Sequence, residues 1–280
     1  MVSNEQRKRQ LAREKFLRQQ QRRESARRKA RNRNVAIAAA LVVVIGGSAS
    51  AWATGGFGSD DKTDDSAGAE ATSAPPSPSK APDPCDKPAK GKAKSLSFKK
   101  EPAVTIDKSA SYTLDLDTTC GSMPITMDAS KAPHTVNSFD YLANKGFFDH
   151  TKCHRLTTNG IYVLQCGDPK GDGSGGPGYT IPDENLKDKR LKGNVYPAGT
   201  VAMANAYNPQ TKEGKNSGGS QFFLVYQDSQ LPPYYTPFGS ISKDGMKVLT
   251  KIAKAGEATG QGDGPPNATV VIDKATVKKS

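Results

Sequence analysis

Apolar and polar residues alternate at positions 112–116 and again at 123–127, with the turn sequence TTCGS between the two segments. Alternation with a period of two on both sides of a turn is typical of a β-hairpin. Short runs of apolar residues later in the chain predict further strands, at 153–156, 161–166, 200–204, 221–226 and 270–277.

Two segments have a helical period instead. In APHTVNSFDYLANKG, Pro133 suits a first helical turn, Val136, Phe139 and Leu142 share one face, and Gly146 can end the helix. The second predicted helix is DGMKVLTKIAKAG. Many short strands with two helices favour a mostly β domain, either an antiparallel barrel or a sandwich, capped by helices.

A different pattern precedes this domain. Residues 35–53, VAIAAALVVVIGGSASAWA, contain no charge, and a helix of this length spans about 28 Å, close to the hydrocarbon thickness of a bilayer. We predict a transmembrane helix here, with Trp52 at the far interface. The alternative is a cleavable signal peptide, because Ala51-Trp52-Ala53 has the A-x-A form of a cleavage site. Both interpretations export the C-terminal part of the chain.

The charge of the chain is unevenly distributed. The formal net charge is +12, and residues 1–34 alone hold 13 Lys and Arg against three Glu. The positive-inside rule therefore places residues 1–34 in the cytoplasm and the chain after Thr54 outside, in a single-pass membrane protein. We expect the tail to lie on anionic lipid headgroups. Binding of the tail to nucleic acid is the less favoured alternative, since no aromatic platform accompanies the charge.

Between the apolar segment and the domain lies a polar region rich in Gly, Ser, Asp, Pro, Ala and Lys. Such a composition cannot bury enough apolar surface to offset its ordering entropy, so we predict a flexible, disordered linker. The predicted organisation is a basic tail at 1–34, a transmembrane helix at 35–53, a linker at 54–102 and a folded domain at 103–280.

The four cysteines have no C-x-x-C spacing, which gives no support to a zinc ribbon or a thioredoxin-type site, and we predict no metal site. In an exported domain an even number of cysteines is compatible with disulfides. We hypothesise one disulfide between Cys153 and Cys166, at the outer ends of neighbouring strands, and one between Cys85 and Cys120. The alternative for Cys153 and Cys166 is that both are small buried apolar residues that never oxidise.

The glycine-rich stretch GDGSGG at 171–176 matches the form G-x-G-x-x-G. A dinucleotide-binding loop must open a helix, whereas Pro177 and Gly178 follow here and no helical pattern begins. The stretch is also similar to the sequence around a protease serine, but no histidine stands in a convincing context. We interpret it as a surface loop.

The segment FFDHTKCHRLTTNGIYVLQCGDPKGDGSGGPGYTIPDEN, at 147–185, resembles the core of the cyclophilins. Three further motifs agree with it in order and spacing: GTVAMANA at 199–206, SGGSQFFLVY at 217–226 and TPFG at 236–239. The resemblance covers residues 103–277. It implies a closed antiparallel β-barrel capped by two helices, and a peptidyl-prolyl cis-trans isomerase that needs no cofactor.

Such a reaction requires no nucleophile, because the site need only bind the twisted X-Pro amide better than its planar forms. By resemblance, Arg155 is the cation directed at the prolyl nitrogen, and Gln165 and Asn205 hold the substrate backbone. The resemblance further implies substrate-binding roles for a larger set: Tyr162, Val163, Gly173, Ala204, Ala206, Gln221, Phe223, Leu231 and Tyr235. His154 is expected to face away from Arg155, since neighbouring strand residues face opposite sides.

The chain departs from animal cyclophilins at several places. The stretch between Arg155 and Gln165 is two residues longer, and the loop YNPQTKEGKN is longer too. Gln230 occupies the place of an indole often present near the site, and Tyr235 replaces a common histidine. These differences leave the isomerase residues intact, but we do not expect tight binding of cyclosporin.

We expect proline-containing polypeptides as substrates and a monomeric chain. A second hypothesis belongs to a different class, a membrane-tethered module that binds proline peptides or acts as a chaperone without catalysis. Retention of both Arg155 and Phe223 favours the enzyme.

Overall fold

The structure is a computed structural model that describes residues 82–280. This part is mostly β and contains two α-helices, as the sequence predicts. The predicted basic tail and transmembrane segment, and residues 54–81 of the predicted linker, lie outside the described residues. Within residues 82–280, neither helix has the length and apolar character that crossing a membrane requires.

The helices are α1, Pro133–Asn144, and α2, Lys243–Lys254. A short 3-10 turn occupies Lys192–Asn194. The strands are β1 Tyr112–Thr118, β2 Gly121–Met127, β3 Thr151–Lys152, β4 Arg155–Thr157, β5 Val163–Cys166, β6 Val195–Tyr196, β7 Thr200–Met203, β8 Phe222–Val225, β9 Ser229–Gln230, β10 Pro237–Ile241, β11 Asp263–Gly264 and β12 Val271–Lys279.

Ten strands form one antiparallel sheet in the order β11-β4-β5-β8-β7-β10-β2-β1-β12-β3, and β6 pairs separately with β9. The predicted full closure of the barrel is wrong at the level of hydrogen bonding, because β3 and β11 are the two free ends of this sheet. Only two residues separate β3 from β4, the neighbour of β11, so the chain itself connects the two edges of the curled sheet where no strand pairing does.

The hairpin of β1 and β2 carries the predicted alternation. Leu114 lies opposite Ile125, and Leu116 lies opposite Met123, and all four side chains are fully buried. Gly121 begins β2 with a φ of 127°, a conformation that residues with a Cβ rarely adopt. One face of the hairpin therefore forms part of the main core.

The two helices lie in the predicted segments, and α1 buries the face that the sequence predicts. Phe139 of α1 is fully buried, and its ring centroid lies 4.6 Å from that of Phe238 and 5.2 Å from that of Phe148. Ser242 caps the start of α2, and its hydroxyl accepts a 3.0 Å hydrogen bond from the Gly245 amide. Such a cap satisfies one of the amides left without a partner at a helix start.

Residues 82–102, here called the N-terminal strap, contain neither helix nor strand but contact the domain. The Ala89 amide donates a 2.9 Å hydrogen bond to Asp273, and the Phe98 amide donates a 2.8 Å hydrogen bond to the carbonyl of Pro177. The Phe98 ring meets Tyr141 edge to face at 5.1 Å. These contacts attach a stretch that the sequence places in the linker to the surface of the domain.

Two disulfides are present, and they join the same pairs that we hypothesise from the sequence. Cys85–Cys120 joins the N-terminal strap to the turn between β1 and β2. Cys153–Cys166 joins the connection between β3 and β4 to the last residue of β5. No free cysteine remains in the described part of the chain.

Candidate active site

A second, smaller apolar core lies on one side of the sheet, around Val163, Tyr196, Phe223 and Val225. Above it opens a cavity of about 190 Å³. Most of the predicted site residues meet here, and the cavity is lined by Arg155, Ile161, Val163, Gln165, Ala204, Asn205, Phe223, Leu231 and Tyr235.

The apolar wall of this cavity is held by aromatic packing. The Phe223 and Tyr235 rings meet edge to face with centroids 5.5 Å apart. Below them, the hydroxyl of the fully buried Tyr196 donates a 2.8 Å hydrogen bond to the Tyr235 carbonyl. Burial raises the pKa of Tyr196 far above its usual range, so the hydroxyl stays a donor. These contacts hold Tyr235 in place in the apolar wall.

Arg155 enters the cavity from β4, directly opposite Gln165 on β5. Its Nη1 donates a 3.2 Å hydrogen bond to Gln165 Oε1, while Nε and Nη2 donate to the two carboxylate oxygens of Asp263 at 2.7 and 2.8 Å. The bonds to Asp263 raise the pKa of Arg155 and lower that of Asp263. Arg155 is consequently a permanent cation with both edges of its guanidinium engaged.

Gln165 also lines a second cavity of about 470 Å³ beside the first. Its Nε2 donates a 2.9 Å hydrogen bond to Gln221 Oε1, and Gln221 Nε2 donates to the carbonyls of Gly173 and Gly175 at 2.9 and 2.8 Å. A continuous series of side-chain hydrogen bonds thus connects Arg155 to the glycine-rich loop. Of the predicted residues, this second cavity holds Gly173, Ala204, Ala206 and Gln221, together with Gln165 and Asn205.

The side chain of Asn205 is engaged by its neighbours. Its Nδ2 donates a 2.6 Å hydrogen bond to the Tyr234 carbonyl, and its Oδ1 accepts a 3.2 Å hydrogen bond from the Tyr207 amide. These contacts fix the segment that borders both cavities. A direct bond from Asn205 to a substrate backbone stays a prediction.

Tyr162 is the predicted substrate-binding residue that does not line either cavity. Its ring packs edge to face on Tyr226 at 5.8 Å, and its amide donates a 2.8 Å hydrogen bond to the Ser229 hydroxyl. Alternate residues of an extended chain share a face, so Ile161 and Val163 point to the cavity and Tyr162 points away. The sequence contains this signal, because two adjacent strand residues such as Tyr162 and Val163 cannot both face the same pocket.

No motif in the sequence points to Asp263, which lies 108 residues after Arg155. Sequence reasoning therefore missed this partner of Arg155.

His154 does not line the smaller cavity, which agrees with the expectation that it faces away from Arg155. Its Nδ1 is buried and has no hydrogen-bond partner in the described part of the chain.

The arrangement provides an apolar cavity, a fixed cation at its edge and a row of amides. The residues that line the smaller cavity include no serine, cysteine or histidine. Such a site can bind an apolar ring and stabilise a developing lone pair beside it by electrostatics.

Comparison with known proteins identifies this arrangement. Residues 113–277 match the family model described as cyclophilin-type peptidyl-prolyl cis-trans isomerase. A probable peptidyl-prolyl cis-trans isomerase B of Mycobacterium leprae is 50% identical over 172 residues, which cover 59% of this chain and 56% of that protein. The Mycobacterium tuberculosis protein of the same name is 47% identical over 206 residues, covering 71% of this chain and 61% of that protein.

The chain thus spans less than two thirds of the length of these two relatives. Among solved structures, a cyclophilin-type isomerase of Cryptosporidium parvum aligns with a TM-score of 0.49 and 24% identity, over 61% of this chain and 99% of that one. Because the family model matches more than half of the residues, the chain belongs to the family of cyclophilin-type peptidyl-prolyl cis-trans isomerases.

Proposed function

We propose that this chain catalyses cis-trans isomerisation of X-Pro peptide bonds in exported polypeptides and so assists their folding, from a position tethered to the outer face of the membrane. One observation carries the catalytic part of the proposal. Arg155 is a fixed cation at the edge of an apolar cavity, held there by Gln165 and Asp263.

The uncatalysed reaction is slow because the peptide bond has partial double-bond character. Rotation about a peptide bond faces a barrier of roughly 18–20 kcal/mol, and X-Pro bonds isomerise over tens to hundreds of seconds. In the twisted state the nitrogen lone pair is no longer delocalised into the carbonyl. A site that stabilises this lone pair accelerates the rotation without any covalent step.

The residues of the two cavities fit this requirement. Val163, Phe223 and Leu231 provide apolar contacts for the proline ring in the smaller cavity. The Arg155 guanidinium then interacts with the prolyl nitrogen as its lone pair localises. Gln165 borders both cavities and is suited to hold the backbone next to the proline while the preceding carbonyl rotates.

Export and tethering rest on other observations. The uncharged segment at 35–53 has the length of a bilayer span and follows a strongly basic tail. Two disulfides suit an oxidising compartment outside the cytoplasm. Membrane fractionation together with N-terminal sequencing of the mature protein tests this part. If the mature protein is soluble and its N-terminus lies after Ala53, the membrane tether is contradicted and the protein is secreted after signal cleavage.

The catalytic part is tested with Arg155→Ala. We expect kcat/KM for a proline tetrapeptide to fall by about two to three powers of ten, because one preorganised electrostatic group has an effect of that size. Lys247→Ala is the matched control, since it removes an exposed cation on α2 that lines neither site cavity. Exchange spectroscopy by NMR measures the isomerisation rate, and circular dichroism checks that the variant is folded. A folded Arg155→Ala variant with near-full activity contradicts the mechanism.

The same experiment separates the enzyme from a non-catalytic binding module. A binding module shows saturable shifts of the peptide resonances in the wild-type chain with no acceleration of exchange. An enzyme shows both. We propose a monomer that acts on proline-containing polypeptides, with the basic tail on anionic lipid headgroups.

A further inference from the structure

The guanidinium of Arg155 is held from two sides, and the stronger hold comes from outside the cavity. Asp263 accepts two parallel hydrogen bonds, at 2.7 Å from Nε and 2.8 Å from Nη2, whereas Gln165 accepts one at 3.2 Å from Nη1. A planar two-point contact between arginine and carboxylate fixes the plane of the guanidinium as well as its position. Asp263 itself does not line the smaller cavity.

Asp263 is in turn placed by its own loop. Strand β11 pairs with β4, so that Asp263 lies opposite Thr157. The Glu257 carboxylate accepts hydrogen bonds from the Gly262 amide at 2.8 Å and from the Thr259 amide and hydroxyl at 2.6 Å. Gly262 has a φ of 88°, and a Cβ there would lie 2.5 Å from Asn159 Cβ. The carboxylate that holds Arg155 is therefore preorganised.

We propose that Asp263 is a positioning residue for Arg155, which orients the guanidinium so that its Nη1 edge faces the substrate. This inference rests on the proposed isomerase function. The Arg155 side chain is 39% exposed, so packing alone does not restrict its rotamers. A long side chain that is free to rotate spends little time in the one orientation that stabilises the twisted amide.

An opposing effect has to be weighed, because a carboxylate beside Arg155 also reduces its positive potential. The side chain of Asp263 is 55% exposed and lies outside the cavity, so water screens its charge. The guanidinium borders the cavity directly. Orientation therefore outweighs the loss of potential, and removal of Asp263 lowers the rate of turnover.

The test uses the full chain in mild detergent, with Asp263→Asn, Asp263→Glu and the control Asp244→Asn. Asp244 is an exposed carboxylate that pairs with Lys247 on α2. NMR exchange spectroscopy with a proline tetrapeptide gives kcat and KM separately. We expect Asp263→Asn to lower kcat about tenfold and to change KM by less than twofold. Asp263→Glu keeps the charge and recovers part of kcat, and Asp244→Asn stays within twofold of the wild type.

A second readout reports the contact itself. Because Arg155 Nε donates a hydrogen bond to Asp263, we expect its Nε–H resonance to be protected from solvent exchange in the wild-type chain and to lose this protection in Asp263→Asn. Wild-type kcat in Asp263→Asn, a higher kcat, or unchanged Nε–H protection overturns the positioning role while the isomerase function stands. Absence of turnover in the wild-type chain overturns the isomerase function and the positioning role together.

Discussion

Gln165 Nε2 donates a hydrogen bond of 2.9 Å to Gln221 Oε1, and this contact determines which way both amides point. The Gln221 amide nitrogen is already engaged by the carbonyls of Gly173 and Gly175, so its oxygen must face Gln165. Gln165 then presents nitrogen to Gln221 and oxygen to Arg155. The glycine-rich loop thereby determines which atom of the Gln165 amide faces Arg155.

This relationship predicts the effect of Gln221→Glu, which has the same shape but no donor. The carbonyls of Gly173 and Gly175 lose their partner and meet a carboxylate instead. We expect kcat/KM to fall roughly tenfold, because repulsion between this carboxylate and the two carbonyls releases Gln165 from its orientation beside Arg155. NMR exchange spectroscopy with a proline peptide measures it. Gln227→Glu, a similar change at an exposed position after β8, is the control, and equal activity of the two variants would count against the relay.

The second prediction concerns inhibition by cyclosporin. Gln230 is exposed on β9 and directly precedes Leu231, which lines the smaller cavity. An indole at this position adds apolar surface and an N–H donor beside the cavity. We expect weak inhibition of the native chain and tighter inhibition of Gln230→Trp, measured as inhibition constants. Gln210→Trp in the long loop serves as control, and a nanomolar constant for the native chain contradicts the prediction.

The third prediction concerns pH. Burial lowers the pKa of His154 below the usual value of 6.5. As the pH falls below 6.5, the unfolded chain takes up a proton that the folded chain does not bind, so the free energy of unfolding decreases. Urea denaturation at pH 7.5 and pH 5.5 measures this decrease. His154→Gln should show a smaller decrease between the same two pH values, and an identical decrease rules out the assignment to His154.

The fourth prediction concerns the N-terminal strap. The Cys85–Cys120 disulfide joins residues 35 positions apart, and the entropy of closing a loop of that length corresponds to about 3–4 kcal/mol of stability. We expect Cys85→Ser to lower the free energy of unfolding by up to this amount in urea denaturation without reductant. The double variant with Cys120→Ser should lose no more than Cys85→Ser does. A free thiol at Cys85 in the non-reduced wild type would refute the pairing.

Helices and strands that extend over several periods of the hydrophobic pattern can be predicted from the sequence. The hairpin of β1 and β2 and the amphipathic helix α1 each extend over several periods, so their buried faces are visible in the sequence. Strands β3, β6, β9 and β11 have two residues each, and a period of two cannot be recognised in two residues. They form because neighbouring segments of the chain pair with them.

The candidate site divides in the same way. Arg155, Gln165 and Phe223 lie in motifs whose order and spacing the sequence displays, and the family resemblance therefore identifies them from residue order alone. The sequence also determined the charge asymmetry, the uncharged segment at 35–53 and the mostly β class of the domain. These properties depend only on residue type and near neighbours.

Tertiary structure alone decided the contacts between distant segments. Asp263 reaches Arg155 because the residues between them fold through four strands of the curled sheet and α2 before β11 returns to β4. The attachment of the N-terminal strap by Phe98 arises in the same way. Such contacts follow from packing and chain closure over long loops, and no local pattern of residues encodes them.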